Sequence, residues 1–161
     1  MDVVFAGAGA VAAPDVVGRV VAVIDVLRAS SSIAAALANG ARAVIPVESS
    51  EEVITRAKNF ERGEIRLAGE RKMLTIPGFD LGNSPREFTR AAVDGRTILM
   101  ATTNGTPAIT NTAGARDVVV ASYVNYTAVL TMLRAALRGG ADVTIVCAGR
   151  DRQFALEDAG C

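Results

Sequence analysis

The sequence predicts an α/β fold: a mainly parallel β-sheet with helices on both faces, three layers in all. Three observations lead there. Apolar β-branched runs alternate with helical stretches along the chain, the pattern of βαβ units. Those runs are continuously apolar, without strict alternation, as in strands covered on both faces. The chain has 161 residues, half of them apolar, which suffices for one domain with a sizeable core and leaves no room for a second.

The elements follow in order. Residues 19–25 form a β-branched strand ending in Asp25. Residues 30–40 read as a helix that opens on three serines and stops at Asn39-Gly40. A strand at 43–47 precedes a helix opened by Ser49, Ser50 and two acids, running to about residue 60. A short strand spans 65–69. Asn83-Ser84-Pro85 reads as a cap followed by proline at the first helical position, starting a helix to about residue 93. A strand at 97–103, a helix at 106–113 and a strand at 117–121 come next. A helix at 126–138, stopped by Gly139-Gly140, leads to the last strand at 142–147. Residues 3–13 are a weaker candidate for a further strand. The chain ends soon after its last strand, where a helix normally follows, so a missing C-terminal portion is expected.

Composition excludes several functions. Seventeen basic residues balance seventeen acidic ones, so the chain lacks the basic field a nucleic-acid binder needs. There is no histidine, which removes Ser-His-Asp hydrolysis, phosphohistidine chemistry and imidazole zinc sites. Two cysteines, Cys147 and Cys161, make neither a disulfide framework nor a four-ligand zinc site. The longest uncharged run, 97–115, is rich in Thr, Asn, Gly and Pro and is no membrane span. Asp2 and the lack of a basic leader point away from a signal peptide. A cytoplasmic protein without membrane or nucleic-acid partners is expected, and assembly into a homo-oligomer is left open.

In an open parallel sheet, ligands bind beyond the carboxyl ends of the strands. The unusual polar residues of this chain gather there. Asp25 closes the first strand; it reads as a metal-binding or nucleophilic acid, or as a simple turn acid. Leu27 stands where a haloacid-dehalogenase pattern needs a second aspartate. Arg28 with Ser30 and Ser31 suits oxyanion binding at a helix start, or plain capping. Thr102-Thr103-Asn104-Gly105-Thr106 has the make-up of a phosphate or sulfonate cradle, or of a capped polar loop; no Gly-Lys-Ser/Thr follows, so it is no Walker loop. Glu70 and Arg71 end another strand, and Asn125 follows a fourth. In the loop 78–85, Asp80 or Asn83 reaches a ligand, or Asn83 and Ser84 only cap a helix. Asp25, Glu70, Glu157 and Asp158 supply the all-oxygen set that Mg²⁺ takes, although Glu157-Asp158 also reads as a surface pair. Cys147 is a small apolar residue by type, and no Cys-x5-Arg spacing supports a thiol nucleophile. The Gly7-Ala-Gly-Ala stretch is a poor dinucleotide match.

Eight ordered blocks carry a family likeness: Val23-Ile-Asp25-Val-Leu-Arg28-Ala-Ser-Ser-Ser-Ile, Ala36-Leu-Ala-Asn-Gly-Ala41, Leu67-Ala-Gly-Glu70-Arg71, Gly78-Phe-Asp80-Leu-Gly-Asn83-Ser84-Pro85, Thr102-Thr-Asn-Gly-Thr106, Val124-Asn125, Val146-Cys147-Ala-Gly149 and Phe154-Ala-Leu-Glu157-Asp158-Ala-Gly-Cys161. Together they cover nearly the whole chain, and it resembles the 2-phosphosulfolactate phosphatase family. That resemblance implies a Mg²⁺-dependent acid phosphatase that converts (2R)-phospho-3-sulfolactate to 3-sulfolactate and phosphate, a step in coenzyme M biosynthesis. It also implies an α/β fold peculiar to the family and a longer chain than this one.

Joining both lines, Asp25, Glu157 and Asp158 are expected to hold Mg²⁺, with Glu70 as a candidate fourth donor. Asp25, Arg28 and Glu157 are the expected catalytic residues. Arg28, Ser30, Ser31, Glu70, Arg71, Asn83, Asn125 and the turn Thr102, Thr103, Asn104, Gly105 and Thr106 are expected to bind a small phosphorylated, sulfonated acid. Attack by water and a phosphorylated carboxylate both stay open, with Asp25 the best covalent candidate and Cys161 a remote one. Without histidine, a carboxylic acid or metal-bound water must act as the acid, which suits an acidic optimum. The competing expectation is a non-catalytic module that binds the same anions, or an inactive fragment.

Overall fold

The structure is a computed structural model and describes residues 1–5, 11–151 and 153–161. The strands are β1 (Asp2–Val4), β2 (Val20–Ile24), β3 (Ala43–Pro46), β4 (Ile65–Arg71), β5 (Leu74–Thr75), β6 (Thr97–Ala101), β7 (Asp117–Ala121) and β8 (Val143–Cys147). The helices are α1 (Ala13–Val16), α2 (Ala29–Ala38), α3 (Ser50–Ala57), α4 (Arg90–Val93), α5 (Gly105–Thr110), α6 (Tyr126–Arg138) and α7 (Leu156–Ala159).

The fold is α/β with mainly parallel pairing, but the strands divide between two sheets. One has the order β1-β8-β2-β7, the other β3-β6-β4-β5. Every pairing is parallel except the short β4–β5 hairpin. The two strands buried at every residue are both interior: β2 lies between β8 and β7, and β6 between β3 and β4. Their side chains alternate between faces. In β2, Val21 and Val23 pack with Val16 of α1 and Ala108 of α5, while Ile24 packs with Val129 of α6. In β6, Ile98 and Met100 meet Ile33 and Ala36 of α2, while Leu99 meets Val53 of α3. Both sheets are therefore covered on two faces, and α2 packs against strands of both.

Phe88 is fully buried in the cluster that α2 shares with β4 and β6. Phe88→Ala is expected to cost about 3–5 kcal/mol through lost burial and the cavity left behind. Urea unfolding checks this; a loss under about 1 kcal/mol would mean that the site collapses around the smaller side chain.

Several local signals act as expected. Ser49 accepts the Glu52 N–H at the start of α3, and Gly40 and Gly140 take positive φ after α2 and α6. Others differ. The helix expected at 84–93 is a single 3-10 turn, Pro85–Glu87, followed by the short α4. The helix that opens on serines 30–32 starts one residue earlier, at Ala29, and ends at Ala38. β5 and α7 carry no strong signal, being two and four residues long. β1 occupies the start of the candidate strand at 3–13, while residues 6–10, with the whole Gly7-Ala-Gly-Ala stretch, lie outside the described residues.

Candidate active site

The carboxyl ends of β2 and β8, from one sheet, and of β4 and β6, from the other, face a common cleft of about 820 Å³. Each strand hands over to a turn that positions a polar group. After β2 the chain passes Asp25, Val26 and Leu27, with a cis peptide bond between Leu27 and Arg28, and enters α2. β4 ends in Glu70 and Arg71, β6 leads to Thr103 and Asn104, and β8 leads to Gly149 and Arg150. Asn83 reaches the cleft from the loop beside β4, and Glu157 and Asp158 reach it from α7.

Asp25 is 6% exposed. Burial, and then the neighbouring charges of Asp158 and Glu70, push its carboxyl up to about 7, against the N–H groups of Ala29 and Arg28 that favour the anion. Glu70 is buried and fully engaged: one oxygen accepts the Thr103 N–H at 2.7 Å, the other the Met73 N–H at 2.9 Å. Asp158 is similarly engaged, accepting the N–H groups of Val26 and Gly149, each at 2.9 Å. Burial raises the Asp158 carboxyl despite those bonds. Gly105 is required beside Asp25: a Cβ there would collide with the Asp25 carboxylate and the Ala29 methyl.

Two buried polar atoms on the cleft wall have no hydrogen-bond partner, Asn83 Oδ1 and Thr103 Oγ1. Unpaired polar atoms are rare in protein interiors, so both are free to pair with a ligand or water in the cleft, as Arg19 Nε and Ser122 Oγ are outside it. The cleft cations Arg28, Arg71, Lys72 and Arg150 are absent from the ion pairs among the described residues. They are therefore available to an incoming anion.

Of the expected residues, the structure brings Asp25, Arg28, Glu70, Arg71, Asn83, Thr103, Asn104, Glu157 and Asp158 to this cleft. Six others fall outside its lining. Ser30 accepts the Asp25 N–H and donates to Val23 O, while Ser31 donates to Val26 O; both hydroxyls hold the turn together. Thr102 and Thr106 close on each other, each hydroxyl accepting the other residue's N–H. Gly105 serves close approach to Asp25, as above. Asn125 accepts the Ser122 N–H and donates to Val120 O, capping its own turn. The cradle read into 102–106 is thus largely self-satisfied, with Thr103 Oγ1 its free group. Asp80 is likewise occupied, accepting the Leu67 N–H. Cys161 packs among Ile24, Ala121 and Val129, and burial raises its thiol, with Asp158 adding to the effect. Cys147 is pushed up to about 11, first by burial. Neither thiol is poised as a nucleophile.

The metal expectation meets a mixed geometry. All four acids line one cleft, and Asp158 and Glu70 raise Asp25, a like-charge conflict that a cation would relieve. Yet among the described residues no three acids close up as a ready ligand set. Mg²⁺ is commonly held by one or two carboxylates, with waters and substrate phosphate oxygens completing its shell, so the donors fit that sparser mode. They do not fit a four-carboxylate cage. Sequence reasoning missed Leu27, Lys72, Met73, Gly149, Arg150 and Asp151 in the lining.

Among the described residues, no helix is long and apolar enough to cross a membrane. The family model for 2-phosphosulpholactate phosphatase matches residues 10–161. A protein of Symbiobacterium thermophilum named probable 2-phosphosulfolactate phosphatase is 50% identical over 149 residues, 92% of this chain and 63% of that protein. One of Caldanaerobacter subterraneus with the same name is 46% identical over 138 residues, 86% of this chain and 56% of that protein. A third, of Thermotoga petrophila, is 41% identical over 140 residues, 87% of this chain and 58% of its own. The chain thus spans about three fifths of the length of these relatives. With a family model matched over almost its entire length and half its residues shared with a relative, this chain belongs to the 2-phosphosulfolactate phosphatase family.

Proposed function

We propose that this chain carries the reaction centre of a Mg²⁺-dependent phosphatase that hydrolyses 2-phospho-3-sulfolactate to 3-sulfolactate and phosphate, in the service of coenzyme M biosynthesis. The observation that supports it is the cleft itself, where buried acids face unpaired cations and two unsatisfied polar atoms. Such a site suits a polyanion whose charge must be both bound and offset. The relatives' names supply the substrate.

Arg28 is half-buried and in none of the ion pairs among the described residues, and takes the phosphoryl oxygens as a guanidinium fork. Thr103 Oγ1 donates to the same group, and Asn83 Oδ1 accepts from a ligand hydroxyl or a bound water. Asp25 lies deepest in charge conflict and keeps its proton to about pH 7 when no cation is near. It is the group whose ionisation state decides the chemistry, as acid when protonated and as ligand or nucleophile when ionised. Asp25 and Glu157 or Asp158 would hold Mg²⁺, which supplies polarisation of the phosphoryl oxygens and a more acidic bound water. Glu70 and Asp158, with both oxygens on backbone N–H groups, mainly fix the cleft walls.

Phosphate release from 2-phospho-3-sulfolactate, with Mg²⁺ and then with chelator, tests the reading. The assay is run on this chain and on a version extended to the relatives' length. Release that needs Mg²⁺ is the expected result. Binding of the substrate without release in the extended version would establish the non-catalytic module instead.

A further inference from the structure

Two cations at the mouth of the cleft, Lys72 and Arg150, carry no signal in the sequence and no part in the chemistry above. They stand on loops from different sheets. Lys72 and Met73 make the two-residue turn of the β4–β5 hairpin, closed by the Arg71–Leu74 pair. Both have positive φ, 52° and 66°, the left-handed region that such a tight turn needs and that Asn or Gly usually fills. Tertiary contacts hold the turn. Glu70 accepts the Met73 N–H, and the Arg150 guanidinium reaches Met73 Sδ at 3.9 Å.

The opposite loop is anchored as well. Asp158 accepts the Gly149 N–H, Asn104 Oδ1 accepts the Asp151 N–H at 3.0 Å, and Arg150 bridges to Gln153. The two cations therefore sit on fixed backbone and line the cleft, Arg150 touches Met73, the neighbour of Lys72, and neither cation is in an ion pair among the described residues. Exposure grades along the cleft. Asp25 and Asn83 are buried and Arg28 is half-buried, whereas Lys72, Met73 and Arg150 are exposed. One cationic station lies inside and another at the mouth.

We propose that Lys72 and Arg150 form an outer anion subsite that holds the sulfonate, one of the substrate's two anionic groups besides the phosphoryl group, while the phosphoryl group occupies the inner station. This rests on the phosphatase reading. It makes the site selective for phosphate esters that carry a second strong anion a few bonds from the ester. Simple monoesters are left to the inner station alone. Lys supplies a point charge and Arg a planar fork, a pairing suited to a three-oxygen anion.

The test uses Lys72→Met, Arg150→Gln and the double variant of this chain and of the extended version. Both positions are exposed, so the variants fold. KM for 2-phospho-3-sulfolactate is expected to rise about tenfold per cation removed, the usual scale for a charge-assisted hydrogen bond. The kcat/KM for p-nitrophenyl phosphate, which has no second anion, is expected to stay within twofold. Equal losses on both substrates would overturn the subsite. Calorimetric titration with 3-sulfolactate, which has no phosphoryl group, separates this proposal from the phosphatase reading. Binding that the double variant loses supports the subsite even where no ester is cleaved. Binding unchanged in the double variant, or absent from the parent, overturns it.

Discussion

Asp25→Asn is expected to lower phosphate release by a factor on the order of 10²–10⁴ and, in the same protein, to raise stability at alkaline pH. Both effects have one cause. The carboxyl is buried beside Asp158 and Glu70, so the fold resists the charge that the proposed chemistry would use. Without divalent cations the native chain keeps this proton to about pH 7, against 3.8 for the free group. Between those values the folded state binds more protons than the unfolded one, so stability falls as pH rises through that window. The whole penalty stands above about pH 7. Asparagine carries no charge and escapes it, giving a gain of about 2–4 kcal/mol at pH 8 that vanishes near pH 3.5. Urea unfolding of both proteins in chelator, at both pH values, checks this. A pH-independent difference would show that burial does not strain the Asp25 charge. If Asp25 is a Mg²⁺ ligand as proposed, this proton competes with the ion, and apparent affinity is expected to climb as pH approaches 7.

Asp158→Ala is expected to destabilise the junction between the two central strands of one sheet, β2 and β8. The side chain is 3% exposed, and its two oxygens join the Val26 N–H after β2 to the Gly149 N–H after β8. Alanine leaves both donors buried without acceptors, at about 1–3 kcal/mol each. Relief of the strained Asp158 charge offsets part of that, for a net loss of about 2–4 kcal/mol. Asp158→Asn keeps one acceptor and is expected to lose less, while also lowering the Asp25 carboxyl by removing the stronger of its two like-charge neighbours. A titration of Asp25 by NMR reads that shift. An alanine variant as stable as the parent would mean that water replaces the carboxylate at both N–H groups.

The site was legible where a residue type has few uses. An acid directly after five buried strand residues, as at Asp25, has little reason to be there except function or a turn. Glu70 stood out as an acid at the end of a strand, beside Arg71. The hydroxyls were less legible. Ser30, Ser31, Thr102 and Thr106 have the chemistry of a cradle, but a hydroxyl serves a backbone carbonyl as well as an oxyanion, and here the backbone takes it. Lys72 and Arg150 were invisible because exposed cations abound in the chain and neither sits at a distinctive spacing.

The sequence by itself determined the local structure and the fold class. Continuous apolar runs became the interior strands β2 and β6, and Ser49, Gly40 and Gly140 began or ended helices where their side chains or lack of one demand it. Tertiary structure alone decided that the strands form two sheets, because parallel pairing joins segments far apart, as β2 with β8, and no local preference names the partner. It also decided which polar groups remain free. That depends on whether a neighbour's backbone has already claimed them, a fact of three-dimensional packing that residue type does not carry.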